Sequence, residues 1–216
     1  MSEDPQAGGE AKASSPLGRL RWALWGVALI GVAAVLYIIV QSSSNPTPAL
    51  GTSRTPTAGA PSSFAKKLTL PTEPTPAPNY AFFDEAGKPL KVADLKGKVV
   101  VLNIWATWCA PCVAEMPTLA KLQAAYANQA VEVVAVSIDS ETSATKARVF
   151  IARHAPLKFY HDRDMKLPFK LTPPAPGAPT TVIYGKDGLE QARVAGEADW
   201  SGPDARALID KALAGT

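Results

Sequence analysis

Apolar and polar positions follow three different patterns along this chain. From Trp22 to Val40 (WALWGVALIGVAAVLYIIV) nineteen residues pass without a charge. As a helix this run is about 28 Å long, close to the ~30 Å apolar thickness of a bilayer. Arg19 and Arg21 precede it, with Lys12 further back, and the next charge after it is Arg54. A positive flank stays in the cytoplasm, so residues 1–21 read as a short cytoplasmic tail and everything beyond the span as exported. Trp22, Trp25 and Tyr37 fall near the ends of the run, where amphipathic rings favour the interface. We read 22–40 as an uncleaved transmembrane signal anchor. A cleavable signal peptide is the competing reading, but its apolar region is usually about 7–15 residues and ends at a small-x-small site. The sequence VQSSSNPTPA after the run offers only a poor one.

The second pattern is the absence of one. Residues 41–78 hold eight of the twenty prolines among many Ser, Thr and Ala residues. Such a segment has too little apolar surface to offset its ordering entropy, and it reads as a semi-extended tether. Its one interruption, Phe64 to Leu70, either packs on the edge of the following domain or is more linker.

Residues 79–216 carry the third pattern, that of a single globular domain. Tyr80 to Val92 predicts a small hairpin around Asp84–Lys88. Val99 to Trp105 and Val131 to Ile138 are continuous apolar runs, as in strands buried on both faces. Met116, Leu119, Ala120, Leu122 and Tyr126 recur at helical spacing. Thr142 to Arg153 predicts a second helix and Leu157 to Tyr160 a short strand. Thr180 to Tyr184 and Leu189 to Ala195 predict a hairpin around Gly185–Gly188, and Pro203 to Ala214 a closing helix with proline in its first turn. This order predicts an α/β fold: a central mixed β-sheet flanked by helices.

Composition narrows the chemistry. The net charge of +3 is too small to imply a nucleic-acid partner, and the scattered Lys and Arg positions read as solvated faces rather than a binding patch. The chain has two cysteines, Cys109 and Cys112, too few for a disulfide-dense scaffold or a four-cysteine zinc site. They stand in Trp105-Ala-Thr-Trp-Cys-Ala-Pro-Cys112, where a buried strand gives way to a helix. Cys109 then lies at a helix N-terminus, which favours its thiolate, and Cys112 lies one turn further on the same face. Pro111 suits the first turn and stiffens the loop. A zinc site would have to recruit His154 and His161 from distant segments, and those two read as surface or strand-end residues. A purely structural bridge closing so short a loop restrains little chain entropy. A redox-active pair is the reading carried forward, because strand–WCxPC–helix is a strong signal.

Leu102 to Pro117 (LNIWATWCAPCVAEMP) resembles the active-site segment of the membrane-anchored thioredoxin-like proteins of the TlpA/ResA/CcmG group, the TlpA branch most of all. The likeness extends beyond the motif, to Asp84–Lys98 before it and Ala195–Trp200 after it, and takes in most of the domain. It implies a thioredoxin-like fold, with Cys109 as attacking and Cys112 as resolving thiol. Glu115 matches a family glutamate thought to take the proton of the resolving thiol. Asn103 stands where ordinary thioredoxins carry a buried aspartate. Pro179 matches the thioredoxin cis-proline, and Ala178 before it offers a backbone edge to substrate. Trp108, Ala110 and Pro111 would border the substrate, while Trp105 reads as core. Pro117 stands where thioredoxins carry a helix-kinking proline. The proline-rich approach Leu167–Ala178 departs from the family pattern.

The resemblance implies a periplasmic, inner-membrane-tethered thiol–disulfide oxidoreductase, with no cofactor beyond the Cys109–Cys112 pair and no metal. Its clients would be copper-delivery proteins, the copper-site subunit of cytochrome oxidase, or apocytochromes c. A transmembrane thiol carrier would re-reduce it, and a monomer is expected. Two other readings remain: a dithiol oxidant, and a copper-binding module of thioredoxin-like fold. Against the latter, Sco-type copper sites use C-x-x-x-C plus histidine, one residue longer than the spacing here.

Overall fold

The computed structural model describes residues 62–215. The tail 1–21, the span 22–40 and the first part of the tether, 41–61, lie outside the described residues. Among the described residues no helix is long and apolar enough to cross a membrane.

The elements in chain order are β1 (Leu68–Thr69), β2 (Phe82–Asp84), β3 (Pro89–Leu90), β4 (Val99–Trp105), α1 (Ala110–Ala125), β5 (Val131–Ser137), α2 (Ala144–Ala152), β6 (Tyr160–His161), α3 (Leu167–Lys170), β7 (Thr180–Tyr184), β8 (Glu190–Ala195) and α4 (Pro203–Ala214). The strands form one mixed sheet in the order β1-β8-β7-β4-β5-β6-β2-β3. β4 runs parallel to β5 and antiparallel to β7, so the strand leading into the cysteines is central. Every residue of β4, β5 and β7 is buried. Alternate side chains of a strand point to opposite faces, so complete burial means that both faces are covered. This is the expected α/β architecture.

Two expectations need correction. The short strand expected over 157–160 is instead β6, two residues long, whose Tyr160 and His161 pair with Val136 and Ser137 of β5 on one side and with Asp84 and Phe83 of β2 on the other. The tether expected over 41–78 does not run to 78. The ring of Phe64 packs edge-on against Trp200, with centroids 5.5 Å apart. β1 then adds to the sheet edge, with Leu68 opposite Val194 and Thr69 opposite Arg193. Further along, the Glu190 amide donates to the Thr75 carbonyl (2.8 Å), and the Ala77 amide donates to that of Gly188 (3.0 Å). Residues 64–78 therefore belong to the domain, because they satisfy backbone groups along β8 that would otherwise need water.

Phe64 is the apolar anchor of that segment. Phe64→Leu keeps most of the buried volume and loses the edge-on contact, so it should cost about 1 kcal/mol of stability. Urea unfolding of the domain should report this as a lower midpoint with an unchanged slope.

Candidate active site

β4 delivers the chain to the end of the sheet, and α1 starts after four intervening residues. Cys109 caps α1: its side chain accepts the amide of Cys112 at 3.3 Å, and Pro111 occupies the first turn. Cys109 and Cys112 are joined by a disulfide, with Cα atoms 5.3 Å apart. Cys112 is wholly buried, whereas Cys109 is 6% exposed. The nucleophile expected to be exposed thus reaches the surface only at its edge in the bridged state. Beside it Trp108 is 63% exposed, while Trp105 is fully buried. Ala110 and Pro111 are exposed next to the bridge. α1 continues through Pro117 to Ala125, held by Met116, Leu119 and Leu122 on its buried face.

The peptide bond Ala178–Pro179 is cis, as the resemblance implied. The Ala178 carbonyl oxygen lies 3.4 Å from Cys109 Sγ, so this turn covers one side of the bridge. Pro179 is buried and Ala178 half-buried. The proline-rich approach is tied down from below. The buried Arg193 guanidinium on β8 donates to the carbonyls of Pro173 and Thr172 and forks onto Glu190 at 2.8 and 3.0 Å.

Glu115 lies one turn beyond Cys112 and is only 1% exposed. Its Oε2 accepts from the Ala198 amide (3.0 Å) and Trp200 Nε1 (3.2 Å), and its Oε1 from Asn103 Nδ2 (2.8 Å). Burial pushes its pKa up to about 7; the three donors oppose that shift only in part, and the nearby charge of Glu197 adds to it. A carboxylate merely favoured by the helix dipole would sit exposed in the first turn. This one is buried, and burial holds its pKa well above the ordinary carboxylate value.

Several contributors escaped the sequence reading. Asp139, buried just past the end of β5, accepts from the Thr107 amide (2.9 Å), the Thr107 hydroxyl (2.7 Å) and the Ser137 hydroxyl (2.9 Å). It thereby fixes the loop that carries Trp108 into Cys109. The available signal was an acid directly after a buried apolar strand, at the edge where α/β sites form. Trp200 and Thr181 escaped because they are some eighty residues from their partners. His161 is buried at the end of β6, with Nε2 2.9 Å from the Asp139 carbonyl, and His154 Nδ1 lies 3.0 Å from that of Phe150. Both imidazoles are engaged within the fold.

A cysteine pair bridged at a helix N-terminus, faced by a cis-proline and set on a central strand of a mixed sheet, defines a thioredoxin-like thiol–disulfide oxidoreductase. The Redoxin family pattern matches residues 72–199. Thiol-disulfide oxidoreductase ResA of Bacillus cereus is 36% identical over 129 residues, 56% of this chain and 68% of the relative. ResA of Bacillus subtilis is 33% identical over 126 residues, 58% and 68% of the two chains. Among solved structures, a putative thiol:disulfide interchange protein DsbE from Chlorobium tepidum superposes with a TM-score of 0.58 at 28% identity, covering 67% of this chain and 99% of that one. The chain belongs to the Redoxin family, within its TlpA/ResA/CcmG group of thioredoxin-like oxidoreductases.

Proposed function

We propose that the protein is a periplasmic, membrane-tethered reductant of protein disulfides. The observation that carries this reading is Glu115, buried one turn beyond Cys112, where burial pushes its pKa up to about 7. Cys112 must lose its proton to become a nucleophile, as it does when a client is released in reduced form, and Glu115 is placed to take it.

In the reduced protein the Cys109 thiolate attacks one sulfur of a client disulfide. One client thiolate leaves, and a mixed disulfide joins Cys109 to the other client sulfur. Cys112 gives its proton to Glu115 and attacks Cys109 Sγ. The Cys109–Cys112 bridge forms, and the second client sulfur leaves as thiolate. Two electrons have passed to the client, and a thiol donor of the membrane must return two to the pair. The exposed Trp108, Ala110 and Pro111 and the backbone of Ala178 border the attacked sulfur, where a client strand would lie. The pair itself is the redox group, with no further cofactor or metal. The charge-free span 22–40 would hold the monomeric domain at the bacterial inner membrane. Clients fitting that place are copper-delivery proteins, the oxidase copper-site subunit and apocytochromes c.

The reduction potential of the pair tests the direction. Equilibration with glutathione or dithiothreitol should place it at or below about −220 mV, on the reducing side of the known scale. A value near that of strong oxidants, about −120 mV, would overturn the reductant reading.

A further inference from the structure

The polar cluster under the cysteines contains one group without a partner. Asn103 is fully buried in β4. Its Nδ2 donates to Glu115 Oε1 at 2.8 Å and to Thr181 Oγ1 at 2.9 Å, which uses both of its hydrogens. Its Oδ1, at the other end of the same amide, has no hydrogen-bond partner. An orphaned buried carbonyl is costly and calls for an explanation.

The two partners of Nδ2 supply one. Thr181 carries a hydroxyl, which donates or accepts equally well. Glu115 only accepts while ionised, but donates once it is protonated. An amide has nearly the same shape after half a turn about its terminal bond. In the turned orientation Oδ1 occupies the present place of Nδ2 and can accept from both the Glu115 carboxylic acid and the Thr181 hydroxyl. Each orientation keeps one bond to Glu115 and one to Thr181.

We propose that Asn103 is the positioning residue of the Glu115 proton site: its amide turns with the charge of Glu115, donating from Nδ2 to the carboxylate and accepting at Oδ1 from the acid. The inference rests on the reading of Glu115 as the proton acceptor of Cys112. An aspartate here would set a second negative charge against Glu115, and an apolar side chain would serve neither state. The other groups facing the carboxyl are the Ala198 amide and the Trp200 indole, both fixed donors, and the charge of Glu197. Asn103 is thus the partner able to change from donor to acceptor.

The test follows the oxidised domain by NMR across pH 5–9. The Glu115 carboxyl carbon should titrate, and the Asn103 side-chain amide hydrogens should show cross-relaxation to Thr181 above the midpoint and lose it below. Asn103→Leu removes the charge-assisted bond to the carboxylate and the weaker bond to the acid together, so it should raise the Glu115 midpoint, and with it the pH profile of the resolving step, by at most about one pH unit. Asn103→Asp should raise it at least as far. Amide-to-Thr181 contacts that persist on both sides of a measured Glu115 midpoint would overturn the proposal, as would a midpoint raised by about two pH units or more in Asn103→Leu, the mark of a donor that serves the carboxylate alone. Should that variant not fold, the wild-type contacts decide alone. A Glu115→Gln protein whose resolving step keeps its rate and pH profile would instead sink the acceptor reading on which the inference stands.

Discussion

Cys109→Ser should reduce disulfide exchange at least about a thousandfold, to the background rate, because the attacking species is a thiolate and a serine hydroxyl does not ionise at neutral pH. The loss should be chemical rather than structural. Cys109 sits at the surface edge of the fold, and its bridge spans a sequence separation of 3. Losing so small a ring costs about 2 kcal/mol by the chain-entropy relation. The capping contact to the Cys112 amide is one that serine also makes at helix N-termini. Circular dichroism should therefore remain native while reduction of a model protein disulfide by the pre-reduced domain disappears. Retained turnover in this variant would remove Cys109 from the mechanism.

Glu115→Gln should change how stability depends on pH. The folded protein holds the Glu115 proton up to a pKa of about 7, against 4.5 as the ordinary value. Below pH 4.5 the group is protonated whether the chain is folded or unfolded, and its full contribution to stability is present. As pH rises towards 7 the unfolded chain releases the proton while the folded one keeps it, so stability falls. Above 7 both forms are ionised and the loss levels off. At about 1.4 kcal/mol per pH unit the total is of the order of 3 kcal/mol. Denaturant unfolding of the oxidised wild type and of Glu115→Gln at pH 4, 6 and 8 isolates this group, because all other titrations are common to both. The variant should gain relative to the wild type as pH rises, and parallel curves would contradict the buried-acid account. The same substitution should slow the resolving step about a hundredfold at neutral pH, the usual scale for one positioned proton acceptor.

These predictions draw on features of unequal visibility. The central strands were legible because complete burial leaves an uninterrupted apolar run, as in Val99–Trp105 and Val131–Ser137. α4 was legible from the proline in its first turn, and its range, Pro203–Ala214, is the expected one. The cysteine pair was legible because its signal is local. Residues 64–78 were not, since proline-rich composition points to an open chain. What orders them is pairing with β8, a strand more than a hundred residues away. Within the site, the helical offset from Cys112 to Glu115 could be counted, but the burial of Glu115 could not. Its partners Ala198 and Trp200 come from the loop after β8, and Asn103 from β4. Asp139 stayed hidden for a related reason, because only the register of β4 with β5 brings it under Thr107.

The division of labour between the two cysteines is the centre of the account, and trapping tests it most directly. Cys112→Ser should leave Cys109 able to attack but unable to be released. Cells expressing this variant should then accumulate disulfide-linked adducts at Cys109, identifiable by mass spectrometry and dissolved by dithiothreitol. Cys109→Ser in the same cells should accumulate none. If both variants trap partners equally, or neither does, Cys109 is not the attacking thiol and the exchange mechanism is wrong.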